Sequence, residues 1–506
     1  MGTYGSSKSN VMAVMKEVTA GTPVEPGAVT DYIELQPDLT MTPNFELLEN
    51  AAIRASIGAA KGIQGLEKPT ANFSHYLKHS GTEGQAPEIN YLLESCFGAT
   101  TTNSTQRTLT TGSSVSALIL AAGGSDFARG FAVLVKDGVN GYNIRPVFSV
   151  SSNTLTLGFN LGTAPLTGVT LGKCVNFSPA NSGHPSLTLH AYRGNGQLKD
   201  MIAGALVSQM QMRAQAGQLI NLTFTAEGTK YYFNPIVIAS ADAKFDFYDG
   251  SAEFNVSITA KTYRDPHELA AALTTAAQAA GSAVTPTFTF MDNDTTYFGK
   301  FKISVPSGTF SLLWSTGANT ANTVGDKLGF TISADDTGAI AYYSDTVQSY
   351  ASPYTPTLDS SDPLAAKNME VLLGDATSTI CFCAQEVSLN LTNTLTDIGC
   401  ICAESGVDSK KITARSVEVT ITALIDKHDA DKFKRYRDNT DTRFAFNFGT
   451  KSGGNWEAGK CGNLFLPTCT VSAFELVDLD SVIGLTMTLK GFVDASGNGE
   501  VYLNFL

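Results

Sequence analysis

Charge is the scarcest ingredient of this chain. Asp, Glu, Lys and Arg together make up 16% of its 506 residues, against about 25% in ordinary soluble domains. A weakly charged exterior resists association poorly, so it suits a protein that covers much of its surface with neighbours. Cations are scarcer still than anions: the formal net charge is −13. Nucleic-acid affinity comes chiefly from Lys and Arg neutralising phosphates, so this balance counts against a chain that grips a phosphate backbone, while a surface past which nucleic acid slides stays open. No apolar run approaches the ~20 residues that span a bilayer. The opening Met1-Gly2-Thr3-Tyr4-Gly5-Ser6-Ser7-Lys8 lacks a charged-then-apolar export pattern, so synthesis in the cytoplasm is expected. Eight cysteines in this length do not make a disulfide scaffold.

Chemistry-bearing motifs are missing as well. The six histidines, His75, His79, His184, His190, His267 and His428, include no His-Glu-x-x-His run. His75 and His79 flank a strand end and read as structural. No nucleophile elbow and no phosphate-binding glycine loop is present. Gly194-Asn195-Gly196 lacks the strand-then-helix context of a dinucleotide fingerprint and reads as a turn. Asp335-Asp336-Thr337-Gly338 lacks the alternating ligands and distal Glu of a calcium loop, and also reads as a turn. Lys432, Lys434, Arg435 and Arg437 are matched by Asp429, Asp431 and Asp438, the pattern of a solvated helix face carrying i,i+4 pairs. The pairs Cys381/Cys383 and Cys400/Cys402 put two thiols on one side of a strand. A zinc site is one reading; buried small apolar thiols are the other. No catalytic, cofactor or metal residue emerges, and an enzyme is not expected.

What is present is a repetition. A strand through Ala71–Leu77 and a helix over Pro87–Leu93 are answered much later by strands at Gly204–Met212 and Leu219–Thr225. The same order recurs as a strand at Ser416–Thr422, a helix at Asp429–Tyr436, and closing strands near Thr470–Phe474 and Gly484–Leu489. Val417, Val419 and Ile421 alternate with polar neighbours, as do Leu485, Met487 and Leu489. Each strand therefore has one apolar and one Thr-rich face, suited to a sheet with a core on one side and water, or a water-filled channel, on the other.

The first copy is much the longer, and residues 99–185 account for the excess. Short runs such as Gly130–Val135, Tyr142–Arg145 and Thr154–Leu157, separated by Asp137-Gly138 and Asn140-Gly141 turn pairs, predict an inserted small all-β domain. The expected organisation is an extended N-terminal arm over 1–31, a discontinuous first unit over 32–98 and 186–252, an accessory α+β domain over 253–356, and the second unit over 357–506. Short strands are expected at Tyr32–Leu35 and Ala52–Ile57. In the accessory domain Asp265 predicts an N-cap, Pro266 the first helical position and Glu268 a capping box.

The chain resembles the major tail tube proteins of long-tailed, non-contractile bacteriophages. The likeness is carried by Glu34-Leu35-Gln36-Pro37-Asp38-Leu39-Thr40-Met41-Thr42-Pro43-Asn44-Phe45-Glu46, leading into Ala59–Leu66, by the closing strands Ala203–Gln215 and Leu219–Glu227, and by Phe310–Gly317 with Leu328-Gly329-Phe330. The resemblance implies a mainly β (α+β) fold: two tandem tail-tube-type β-sandwich or barrel units, each with a flanking helix, plus inserted accessory domains. It implies a structural virion protein whose hairpins join those of neighbours into a tube, closing here as a homotrimer with pseudo-sixfold symmetry, since each chain has two units. Implied partners are the tape-measure, tail terminator and tip proteins, with DNA passing transiently and no membrane. Thr223, Thr225, Thr486 and Thr488 become candidates for the lumen wall. The inserted units would decorate the exterior. Alternatives are a surface-displayed β-domain adhesin or carbohydrate-binding protein, another phage neck or decoration protein, and a carbohydrate-active enzyme whose carboxylates converge only in three dimensions.

Overall fold

A computed structural model describes residues 9–506 apart from 51–60, 138–140, 195, 378, 382, 427, 428, 495 and 496. The strand expected at Ala52–Ile57, His428, and the centre of the Gly194–Gly196 turn lie outside the described residues. The fold is mainly β. Two compact units divide the chain, one of residues 1–12, 189–202 and 231–355, the other of 13–188, 203–230 and 356–506.

Eight strands dominate the larger unit: β1 (Thr40–Thr42), β2 (Thr70–Tyr76), β3 (Leu198–Gln215), β4 (Asn221–Glu227), β5 (Ala384–Gly399), β6 (Val407–Leu424), β7 (Asn455–Leu479) and β8 (Val482–Gly491). Their pairings are all antiparallel and run β1–β2–β4–β3–β5–β6–β8–β7. Strand alternation dictates the two faces. Phe73, Leu222, Phe224, Met210 and Met212 fall on one side and are buried, as are Leu389, Val419, Ile421, Met487 and Leu489. Their sequence neighbours are Thr, Ser, Asn and Gln on the other face.

The first four strands in this order and the last four correspond residue by residue in their pairing. Ala71 faces Met41 and Ala226; Val419 faces Leu389 and Leu489. The last strand of each half in this order carries a bulge against its neighbour at the same place, Ser208 between Val207 and Gln209, and Ser472 between Val471 and Ala473. Ser208 Oγ donates to the Thr225 carbonyl at 3.2 Å and Ser472 Oγ to the Thr488 carbonyl at 3.1 Å. Ser74 meets Thr223 at 3.1 Å where Thr422 meets Thr486 at 3.3 Å. Asn72 meets Thr225 at 2.8 Å where Thr420 meets Thr488 at 3.4 Å.

Helix α1 is Asn90–Phe97, starting after the expected Pro87 because the Pro87 carbonyl instead closes a turn onto Asn90 N. It ends at Gly98, whose φ is 105°; a Cβ added there would stand 2.7 Å from the His184 ring, so no side chain fits.

Residues between 107 and 172 form all-β hairpins around Leu118, Phe131, Val133, Ile144 and Leu155, and this cluster continues into Trp456 and Cys461. The arm expected over 1–31 is interrupted by a strand at Val11–Lys16, where Met12, Ala13 and Val14 are buried. Its apolar run outweighs the Gly/Pro-rich stretch that follows. In the smaller unit, α2 (Pro266–Ala279) begins as predicted, with Asp265 Oδ1 accepting from Glu268 N at 2.8 Å. Glu268 returns not to Asp265 but to Arg264 N, at 2.5 Å. That unit's core includes Ile236, Phe245, Phe247, Leu273, Phe301 and Trp314, so it draws on strands ahead of residue 253.

Helix α3, Ala430–Arg437, belongs to the larger unit and sets Phe433 and Tyr436 against Phe474 of β7. The solvated basic face expected is only half there: Lys434 and Arg437 are exposed and Arg435 makes the expected i,i+4 pair with Asp431, but Lys432 and Arg435 are buried. Arg435 is held by Asp431 at 2.6 Å and by Thr442, so the helix rests on its charged stems.

Phe224 is fully buried and stacks on Phe73 at 5.7 Å between ring centroids. Phe224→Ala is expected to cost about 3–5 kcal/mol, and its counterpart Met487→Ala about 2–5 kcal/mol, read by urea unfolding. Losses under about 1 kcal/mol would show that this face is not a packed core.

Candidate assembly surface

The polar face of this eight-strand ladder, part of a larger sheet, is rich in short hydroxyl and amide side chains, with Glu418, Lys490, Arg213 and Glu386 among them. Thr223, Thr225, Thr486 and Thr488 all lie on it, each half-exposed. They are tied to Ser74, Asn72, Thr422 and Thr420 across the ladder. At the centre, where β3 meets β5, Gln209 Nε2 donates to Asn390 at 2.8 Å and Arg213 forms a two-pronged pair with Glu386 at 2.8 and 2.9 Å. This junction joins the two four-strand halves in register, Gln209 opposite Thr392 through Gln215 opposite Glu386.

Both ends of the sheet stop at an open edge. Among the described residues, β1 pairs only with β2, and the stretch Ala473–Leu479 of β7 pairs only with β8. Open edges leave backbone donors and acceptors facing water and are templates for another strand. Large apolar side chains crowd these edges: Leu476 is 60% exposed, and Phe45, Leu47, Leu48 and Ile63 of the adjoining hairpin are exposed too.

A charged strap crosses the halves. Lys68, beside β2, reaches Asp397 of β5 at 3.1 Å, and Lys410 of β6 reaches Asp397 at 2.5 Å and Glu227 of β4 at 3.6 Å. Burial pushes the Asp397 carboxyl up, but the hydrogen bonds from Lys410 and Lys68 outweigh it and hold the group below the usual carboxylate range.

Among the described residues no group of His, Cys, Asp and Glu is placed to hold a metal ion. Cys383 and Cys402 are exposed and Cys400 is half-buried. They are therefore not the buried apolar thiols expected, because Cys400 and Cys402 fall in the turn linking β5 and β6 rather than on a strand. The side chain of Cys381 lies outside the described residues. The buried thiols are Cys96, Cys174, Cys461 and Cys469; burial pushes Cys96 and Cys174 up to about 12, which leaves them protonated at neutral pH. His75 is buried against Glu88 at 2.5 Å and His79 is also buried. The turn expected at Asp335–Gly338 is instead a strand, Asp336–Ala339, paired with Phe310–Leu312, and Asp335 accepts from the backbone N–H groups of Ser315 and Thr316.

The ladder thus has one packed face, one hydroxyl-lined face and, among the described residues, an unpaired edge at each end. Residues 7–248, a little under half of the chain, match the phage tail tube protein family. The matched stretch is thus a phage tail tube domain, of the kind found in structural proteins of the virion tail. A search of curated proteins found no match.

Asp397 titrates lower folded than unfolded, so it stabilises the fold fully above its unfolded pKa of about 4 and loses that contribution as pH falls through the folded value. Asp397→Asn is expected to be less stable than the parent at pH 7, with the gap closing below about pH 4. A melting-temperature difference that stayed constant from pH 7 to pH 3 would contradict this account of the strap.

Proposed function

We propose that the region 357–506 is a second tube unit, outside the matched stretch 7–248, and that three chains close a ring of six units that stacks into the tail tube. The observation that carries this reading is the shared plan of the two halves: the same strand order, the same serine bulge and the same cross-strand polar pairs. A single chain already joins two units edge to edge through β3 and β5. Repeating that joint leaves no edge open only when the ring closes.

The Thr-rich face is the wall of the bore in this reading. Hydroxyls and amides hydrate the wall without holding phosphates, and a chain of net charge −13 offers DNA no general attraction. The tube then serves as the conduit for genome delivery, with the tape-measure protein inside it during assembly and the terminator and tip proteins capping its ends. The fold carries no membrane-spanning helix among the described residues.

Negative-stain microscopy of the purified chain tests the ring: annular particles of three chains or short tubes are expected, whereas stable monomers at high concentration would overturn it. Replacing Thr223 and Thr486 together by Lys in the phage is expected to leave tail length unchanged and to slow DNA ejection, more so at low salt. Ejection at the parental rate would remove these threonines from the wall.

A further inference from the structure

The chain contains the template for its own intermolecular joint. In the pairing of the two halves, Gln209–Gln215 of β3 corresponds to Ala473–Leu479 of β7, counted from the shared serine bulge. Likewise Ser388, Leu389 and Asn390 of β5 correspond to Thr40, Met41 and Thr42, counted from their partners Thr420, Val419 and Glu418 on β6 and Asn72, Ala71 and Thr70 on β2. Within the chain, the first member of each set is paired with the second. The remaining two members, the outer edges of β7 and β1, have no strand partner among the described residues.

We propose that Ala473–Leu479 of one chain pairs antiparallel with Asp38–Asn44 of a second copy, in the register of the internal joint: Ala473 opposite Asn44, Glu475 opposite Thr42, Val477 opposite Thr40. This deepens the ring reading above and rests on it. The side chains mark the surface as unfinished. Met210 and Met212 are fully buried, whereas their counterparts are Phe474, half-exposed, and Leu476, 60% exposed. Asn393 is buried, donating to the carbonyls of Cys96 and Val207 at 2.9 and 3.0 Å; its counterpart Phe45 is 44% exposed. Positions closed within the chain are thus open at its ends, and there the polar Asn393 and the Arg213 of the internal joint are replaced by Phe45 and Val477.

Backbone polarity agrees with this register. Lys68 N donates to the Asn44 carbonyl at 2.7 Å, which turns the backbone groups of Asn44, Thr42 and Thr40 toward β2 and those of Pro43, Met41 and Leu39 outward. The outward groups face Phe474, Leu476 and Asp478. Pro43 has no N–H to donate where its counterpart Leu391 has one, so the intermolecular joint has one hydrogen bond fewer than the internal one.

Glu475 and Thr42 then form a pair without mutual backbone bonds, with Cα atoms about 4.5 Å apart, close enough for a disulfide. In a background where Cys381, Cys383, Cys400 and Cys402 are serine, Glu475→Cys with Thr42→Cys is expected to give covalent dimers and trimers on mild oxidation with diamide. Gln211→Cys with Asn390→Cys, the internal equivalent, is expected to cross-link within one chain and serves as the positive control. Glu475→Cys with Thr40→Cys, two residues out of register, is expected to link at least about tenfold less. Rings that form but link better through Thr40→Cys, or through neither pair, would overturn this joint and leave the ring reading standing. Monomers at every concentration would overturn both. Leu476→Asp provides an independent check: because Leu476 is exposed in the single chain, its melting temperature is expected to hold while assembly is lost, and assembly at the parental concentration would refute the joint.

Discussion

The backbone of a β-strand has two hydrogen-bonding sides, and everything in the larger unit follows from where those sides find partners. Six of the eight strands of the sheet are flanked on both sides along the paired stretch; the two at its ends are not. Burying a whole apolar face beneath the sheet fixes register, because a slip of one residue would carry Phe73, Phe224, Met210 and Met487 onto the polar side. The same constraint leaves the hydroxyl-lined face as a by-product of alternation. Packing on one side and assembly at the edges are thus a single solution to one requirement.

The strands were legible because alternation of apolar and polar residues is a local signal. Val417, Val419 and Ile421 announce β6, and Leu485, Met487 and Leu489 announce β8. The likeness of the two halves was legible from the order of elements. Its depth was not: the matching serine bulges and the cross-strand Ser–Thr and Thr–Thr pairs depend on register between strands far apart in the chain, which no window of sequence contains. The joint between β3 and β5 was invisible for the same reason. Both strands read simply as half-buried, and nothing local says that Gln209 faces Thr392.

The misreadings share a cause. Lys432 and Arg435 look solvated because charge usually is, yet their aliphatic stems are buried and their charges are met by Asp429 and Asp431. Cys400 and Cys402 look like strand residues because of their spacing, but the chain turns there. Val11–Lys16 was hidden by the Gly/Pro-rich stretch beside it. In each case a composition average over several residues obscured what a single contact or turn decides. Helix α2, by contrast, was legible to its first residue, since an N-cap, a proline and a glutamate act within one turn.

The paired bulges at Ser208 and Ser472 have a geometric meaning. A bulge puts two residues opposite one and sharpens the local right-handed coil of the ladder. Placed at matching points four strands apart, they bend the ladder at equivalent places in the two halves. Deleting either serine would straighten its own half alone, and the ring proposed above would no longer meet its own beginning.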